Sequence, residues 1–300
     1  VKLYFYRGVR PNFGDELNWW MWPKIFGDVF DQSAENLFLG IGSILFSDHP
    51  KEMRKIVFGS GYGGYTSPPV IDKKWDVRFL RGKFTAKALG LDDGLAVGDS
   101  AILLRSVVDY AAPHKKVHKF SYMPHWESAE IGLWKDVCEL IGINYIDPCG
   151  EIEFVLKEIL SSETVITEAM HGAIVSDALR VPWIAAKPIH ESHRAKWDDW
   201  ASVLDLKIRM EPILPSGLLE LLISKIGQRG FISSKLQFHG KSLNGIRHDA
   251  FVIRAAEQLQ KVARTMPQLS PEAAIQRAHQ RMLDEVDRLR RDYPELHCQQ

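Results

Sequence analysis

Short apolar runs alternate with longer amphipathic stretches along most of this chain. Strands are expected at Lys2–Tyr6, Leu37–Ile41, Lys55–Phe58, Val77–Leu80 and Leu95–Val97, with helices at Glu16–Ile25 and Phe84–Leu89. Residues 109–119 carry a proline and several basic side chains and read as a linker. A second series follows, with strands at Lys119–Met123, Asn144–Ile146, Thr164–Thr167 and Val181–Ala186. Its helices are expected at 128–141, at 152–160 and behind Gly172. Residues 214–228 read as helical and 229–250 as loop. The last fifty residues carry amphipathic helices, broken at Pro267 and restarted by Ser270-Pro271-Glu272. Apolar strands alternating with helices call for parallel sheets covered on both faces. The expected class is α/β: two doubly wound Rossmann-like domains, 1–112 and 113–255, with a cleft between them and a C-terminal helical extension, 256–300.

The polar breaks after the strands fall where open α/β sheets bind ligands. The richest is Glu168-Ala169-Met170-His171-Gly172, between a strand and a helix. A helix start offers unpaired N–H groups and positive partial charge, a seat for an anion. His171 stands where it can touch that anion or move a proton, and Glu168 precedes it. After the first strand, Asn12-Phe13-Gly14-Asp15 allows a close backbone approach at Gly14, and Asp15 serves as helix cap or as base. Glycines 40, 42, 59, 61, 63 and 64 form two loops without side-chain bulk, one of them holding Gly61 and Tyr62, but neither matches a nucleotide-binding fingerprint.

Arg81, between a strand and a helix, suits bidentate capture of a carboxylate or phosphate, or else a surface ion pair. His125 opens the second series in a structural or functional role. Lys187, His190, His193, Arg194 and Lys196 gather basic groups after the strand at 181–186. No acidic or cysteine cluster completes a metal site there, so an anion contact is the more natural use and no metal is expected. Trp197 and Trp200 serve either as sugar-stacking rings or as core. Asn18–Pro23 is core, or else touches a lipid-linked substrate.

Charge and composition narrow the class. The 38 basic and 38 acidic residues cancel, which argues against a nucleic-acid binder. Three cysteines, Cys138, Cys149 and Cys298, suit neither a disulfide framework nor a zinc site and fit a reducing cytoplasm. No signal-peptide pattern and no run of ~20 apolar residues is visible. The expected location is cytoplasmic, with peripheral contact at the inner face of the cytoplasmic membrane.

Taken in order, NFGDELN, GIGSIL, GSGYGG, FLRGKFT, VGDSAILL and ITEAMHGAIVSDALRVPWIA resemble the polysaccharide pyruvyl transferase family, over roughly residues 1–210. The likeness is greatest to the ketal pyruvyl transferases of bacterial exopolysaccharide synthesis. It implies a GT-B-like pair of domains that uses phosphoenolpyruvate as co-substrate, with no further cofactor. A pyruvate ketal is formed across two hydroxyls of a sugar, with a lipid-linked oligosaccharide as the acceptor, and phosphate is released. Many relatives carry arginine and leucine where this chain has Ala169 and Met170. The expected catalytic residues are His171, Asp15 and Glu168. Arg81, Gly172, His125, Lys187, His190, His193, Arg194, Asn12 and Gly14 are expected at the donor, and Trp197, Trp200, Gly61 and Tyr62 at the acceptor. The rival classes are a nucleotide-sugar glycosyltransferase of the same fold and a non-catalytic scaffold of polysaccharide assembly.

Overall fold

The computed structural model describes residues 1–8, 10–31, 35–187, 194–226 and 248–293. The expected loop 229–250 thus lies almost wholly outside the described residues, as do His190, His193 and Cys298. The described chain is mixed α/β with two parallel sheets, and it divides into two compact units. The first takes Val1–Ala112, Ala195–Ile208 and the chain from Ser270 onward; the second takes Pro113–Arg194 and Arg209–Leu269.

In the first unit the strands are β1 (Lys2–Tyr4), β2 (Asn36–Leu39), β3 (Arg54–Phe58) and β4 (Trp75–Phe79). They lie in chain order, all parallel, with Leu3 beside Phe38 and Phe38 beside Ile56. Period-two alternation sends Phe38 and Phe58 to one face, against Trp22 and Phe26 of helix α1 (Phe13–Phe26). Leu37, Leu39 and Val57 take the other face, under Ile44, Leu45 and Ala86 of the connections. Helix α2 (Lys83–Ala88) follows β4. The expected strand at Leu95–Val97 is reduced to one bridge, Leu80 to Ala96, because a 3-10 turn occupies Asp93–Leu95.

In the second unit β5 (His118–Met123), β6 (Asn144–Tyr145), β7 (Ser162–Thr167), β8 (Trp183–Ala186) and β9 (Met210–Glu211) pair in parallel in the order β6-β5-β7-β8-β9. The expected helix 128–141 is two, α3 (Trp126–Ile131) and α4 (Trp134–Ile141). At the break, a β-carbon on Gly132 would overlap the Ser216 hydroxyl and the Ser128 carbonyl. Helix α5 (Ile152–Leu160) is as expected, and α6 (Met170–Ala178) follows β7. Tyr122, Ile166 and Ile184 face α4 and helix α9 (His248–Val262), packing with Trp134, Val252 and Leu259.

Helix α7 (Arg194–Ala201) carries the chain back into the first unit, and α8 (Leu218–Ile226) lies in the second. The last described helix, α10 (Glu272–Asp292), buries Ala274, Ile275, Ala278, Met282, Val286 and Leu289 at helical spacing. It is tied to the first unit by Arg105–Glu272, Arg78–Asp292 and Arg290 to the Ile25 carbonyl. No described helix is long and apolar enough to cross a membrane.

Candidate functional site

The second sheet reverses its winding between β5 and β7: β6 lies on one side of β5, and β7 on the other. Such a switch point leaves a crevice at the carboxyl ends of the strands. Met123 and Thr167 are register partners at that edge, and Thr167 pairs with Ala185 of β8. The chain therefore delivers His125, Glu168, His171 and Lys187 to the same edge within one unit.

Glu168 is buried, with 1% of its surface exposed. Its Oε2 accepts the His125 backbone N–H at 3.1 Å, and its own N–H donates to the Met123 carbonyl at 3.0 Å. One carboxylate thus joins the exits of β5 and β7. His125 caps α3 by accepting the Glu127 N–H at its Nδ1, 3.4 Å away. That nitrogen also lies 3.3 Å from Glu127 Oε2. The cap requires the neutral ring, and an ion pair would require the protonated one.

Helix α6 starts at Ala169, which offers no side chain to cap it. The N–H groups of the first turn, those of Met170, His171 and Gly172, lie at the positive end of the helix. Thr167 shapes the approach, its hydroxyl accepting the Ala169 N–H at 3.0 Å. A β-carbon on Gly172 would lie 2.5 Å from Thr167 Oγ1 and 2.9 Å from Met123 Sδ. Only glycine lets the helix start come this close to both strands. His171 is partly buried in that first turn, and Lys187, exposed, donates its backbone N–H to Glu211.

Behind this edge lies a buried polar cluster. Glu220 of α8 accepts from Ser216 N–H (2.6 Å), Ser216 hydroxyl (2.7 Å) and Trp134 Nε1 (2.9 Å). Burial, with Glu168 nearby, pushes its carboxyl up to about 8. The fully buried Tyr122 phenol is raised well above its ordinary value, first by burial and then by the two carboxylates.

The first unit knits its strand-end loops to one another. The cap of α1 is Asn12, not Asp15: Asn12 Oδ1 accepts the Asp15 N–H at 3.1 Å and its amide donates to Asp15 Oδ2 at 2.6 Å. Gly14 is buried in the first turn. Asn18, fully buried, donates to the Ile41 carbonyl at 2.9 Å and accepts the Ile41 N–H (2.8 Å) and Trp22 Nε1 (2.9 Å). Ser60 donates to the Leu39 and Gly40 carbonyls, and the Gly61 N–H to Gly42.

The expectation of an available guanidinium at Arg81 is corrected by its surroundings. Its side chain is 0% exposed; Nε pairs with Asp199 Oδ2 at 2.9 Å, Nη1 with Ser43 Oγ at 2.7 Å and Nη2 with the Tyr62 carbonyl at 3.3 Å. Trp197 and Trp200 are also corrected from stacking rings to core, at 1% and 0% exposure. Of the 18–23 segment, Trp22 is core, whereas Trp19 is 53% exposed. Tyr62 is half-buried, with its N–H on Thr85 Oγ1 and its hydroxyl on the Thr66 carbonyl. Tyr65, in the loop after β3, is an exposed aromatic, with the Lys196 ammonium 4.6 Å over its ring.

Asn18, Ser43, Ser60, Asp199 and Glu220 were not among the expected site residues. A signal existed for two of them: Asn18 interrupts an apolar run, and Asp199 sits between tryptophans. Among the described residues no three His, Cys, Asp or Glu side chains gather as a metal would require.

This geometry defines an α/β protein whose second sheet has a switch point, with a histidine, a buried carboxylate and a helix start at that edge. The polysaccharide pyruvyl transferase family matches residues 12–187, from the cap of α1 to the residue that follows β8. The chain belongs to that family and is a transferase. It is 34% identical, over 316 aligned positions, to the succinoglycan biosynthesis protein ExoV of Rhizobium meliloti (strain 1021), covering 98% of this chain and 100% of the relative. No solved structure matches it.

Proposed function

We propose that the protein transfers the pyruvyl group of phosphoenolpyruvate, as a ketal, onto two hydroxyls of one sugar in an exopolysaccharide repeat unit. The observation that carries this reading is the α6 start, where His171 and Gly172 stand beside Glu168 and His125 at the switch point of the second sheet. The likeness to a succinoglycan biosynthesis protein supports a polysaccharide repeat as acceptor.

The donor carries a phosphate and a carboxylate. The N-terminal end of α6 suits one of them, and the basic residues between Lys187 and Arg194 suit the other. Arg81, committed to Asp199, is not assigned to either. In the reaction, C3 of the enol takes a proton and becomes the methyl group, leaving an oxocarbenium-like C2. One sugar hydroxyl adds there and loses its proton. The second hydroxyl then displaces phosphate, its proton leaving with that group, so the atoms balance with phosphoenolpyruvate as the only co-substrate.

His171 is the proton donor to C3 or to the departing phosphate, since imidazole exchanges protons near neutral pH. Asp15 or Glu168 accepts a hydroxyl proton. The acceptor is a lipid-linked oligosaccharide, met at the inner face of the cytoplasmic membrane. The test is incubation with phosphoenolpyruvate and candidate lipid-linked oligosaccharides, following phosphate release and the mass gain of a ketal. Thermal stabilisation by nucleotide sugars, with no stabilisation by phosphoenolpyruvate, would overturn the reading in favour of a glycosyltransferase.

A further inference from the structure

The buried Arg81–Asp199 pair is bonded within the first unit, and neither partner is left over for a substrate. Asp199 Oδ2 takes Arg81 Nε at 2.9 Å and the Thr85 hydroxyl at 2.7 Å, and Oδ1 takes the Thr85 N–H at 2.9 Å. Ser202, three residues on, accepts the Lys83 N–H at 3.0 Å. The first turn of α2 is thus capped by a segment more than a hundred residues away in sequence. Its own N-cap residue, Gly82, has no side chain to do so. Two glycines are shaped to this arrangement. A β-carbon on Gly61 would overlap the Arg81 guanidinium, and one on Gly82 would overlap the Asp199 carbonyl.

The other bonds of this cluster all run into the strand-end loops. Arg81 holds Ser43 of the loop after β2 and the Tyr62 carbonyl of the loop after β3, while Thr85 takes the Tyr62 N–H. Both peptide groups of Tyr62 are therefore fixed through Asp199. The Gly61 N–H in turn holds the Gly42 carbonyl, and a β-carbon on Gly42 would stand 3.4 Å from Asp15 Oδ1.

We infer that Asp199 is a positioning residue which, through Arg81 and Thr85, fixes the Gly59–Tyr65 loop as the surface that receives the acceptor sugar. This rests on the proposed transfer to a sugar. A full charge pair in the interior is a costly way to gain stability alone, because apolar residues of similar volume often serve as well. What the pair supplies is geometry: a planar guanidinium fork that aims two loops at once.

The test uses the full chain and three variants: Asp199→Asn, Arg81→Met, and the double variant Arg81→Met with Asp199→Leu. Each single change leaves a buried partner unmatched and lowers the melting temperature. The double variant recovers the part of that loss due to the unpaired charge, while the Thr85 N–H and hydroxyl still lack the carboxylate. Its KM for the acceptor is expected to stay at least tenfold above wild type, with KM for phosphoenolpyruvate within twofold. A double variant with a melting temperature above that of either single variant and a wild-type acceptor KM would reduce the pair to a structural role and overturn the inference. So would a rise in the phosphoenolpyruvate KM instead, which would place Arg81 at the donor. Amide hydrogen exchange at Tyr62 and Thr85 keeps the two readings apart. If wild type makes no ketal, the proposed function falls. Unchanged protection of those amides in Asp199→Asn would sink the lock by itself.

Discussion

The two sheets handle their carboxyl edges in opposite ways. The first runs β1-β2-β3-β4 without reversal among its described strands, and its loops are laced together by Asn18, Ser60, Arg81 and Asp199. The second reverses between β5 and β7, and a helix start with no side-chain cap faces the gap. Parallel strands leave their terminal N–H and C=O groups at the edge, and those groups must find partners. In the first unit the protein supplies them itself. In the second the residue that opens α6, Ala169, has no side chain with which to do so. One edge is laced together by its own side chains; the other is, in the proposed function, the seat of the donor anion.

The strongest way to break this comparison is to remove the group proposed to do the chemistry. His171→Ala is expected to cut turnover by about 10²–10⁴-fold, the usual range for losing a general acid, while the melting temperature holds. Phosphate release from phosphoenolpyruvate measures the first and a thermal melt the second; near-normal turnover would remove His171 from the reaction.

Two glycine replacements sharpen the contrast. Gly172→Ala and Gly61→Ala should each cost about 1–3 kcal/mol, since the added carbon meets atoms that cannot retreat. For Gly172 these are Thr167 Oγ1 and Met123 Sδ; for Gly61 it is a guanidinium fastened to Asp199. Steady-state kinetics should show the first raising KM for phosphoenolpyruvate and the second raising KM for the acceptor. If both raised the same constant, the division of labour between the edges would be wrong.

The smallest effect is a difference in pH response. Glu220 in the second unit is pushed up to about 8 by burial, with Glu168 adding to the rise and Ser216 and Trp134 opposing it. The folded state holds this proton longer than the unfolded chain does. The stability it adds is complete below the ordinary carboxyl value and is lost as pH rises toward 8. His279 of α10 is pushed down to about 4 by burial and by Arg105, so the folded first unit resists protonation there. That contribution is present above the ordinary histidine value and is lost as pH falls toward 4. Thermal melts across that span should show Glu220→Gln gaining on wild type at the alkaline end and His279→Gln gaining at the acid end. Parallel curves would show that neither group is coupled to folding.

Much of this was legible in the chain because the signals were local. Apolar runs of strand length marked the sheets, and helix 152–160 was placed to the residue. The Glu168–Gly172 break was found because a polar cluster between strand and helix has few other uses. What was missed depends on distant partners. Nothing near Arg81 reveals that Asp199 will neutralise it, since the two are 118 residues apart. Trp197 and Trp200 read as stacking rings or, somewhat more readily, as core, because sequence alone does not say which side of a short helix is buried. The strand at Leu95–Val97 lost to a local competitor: Asp92 accepts the Gly94 N–H and starts a 3-10 turn.

The return of residues 195–208 to the first unit bears on how the protein is made. Domains ordinarily fold in the order in which they leave the ribosome. Here the first sheet emerges well before Trp197, Trp200 and Asp199, and earlier still than α10. The second unit has its last residue, Leu269, before α10 begins. Synthesis therefore completes the second unit while Arg78 and Arg105 of the first still await their carboxylates on α10. A fragment cut at residue 112 would carry Arg81 without its counter-charge, so the two halves cannot be separated or exchanged as simple blocks of sequence.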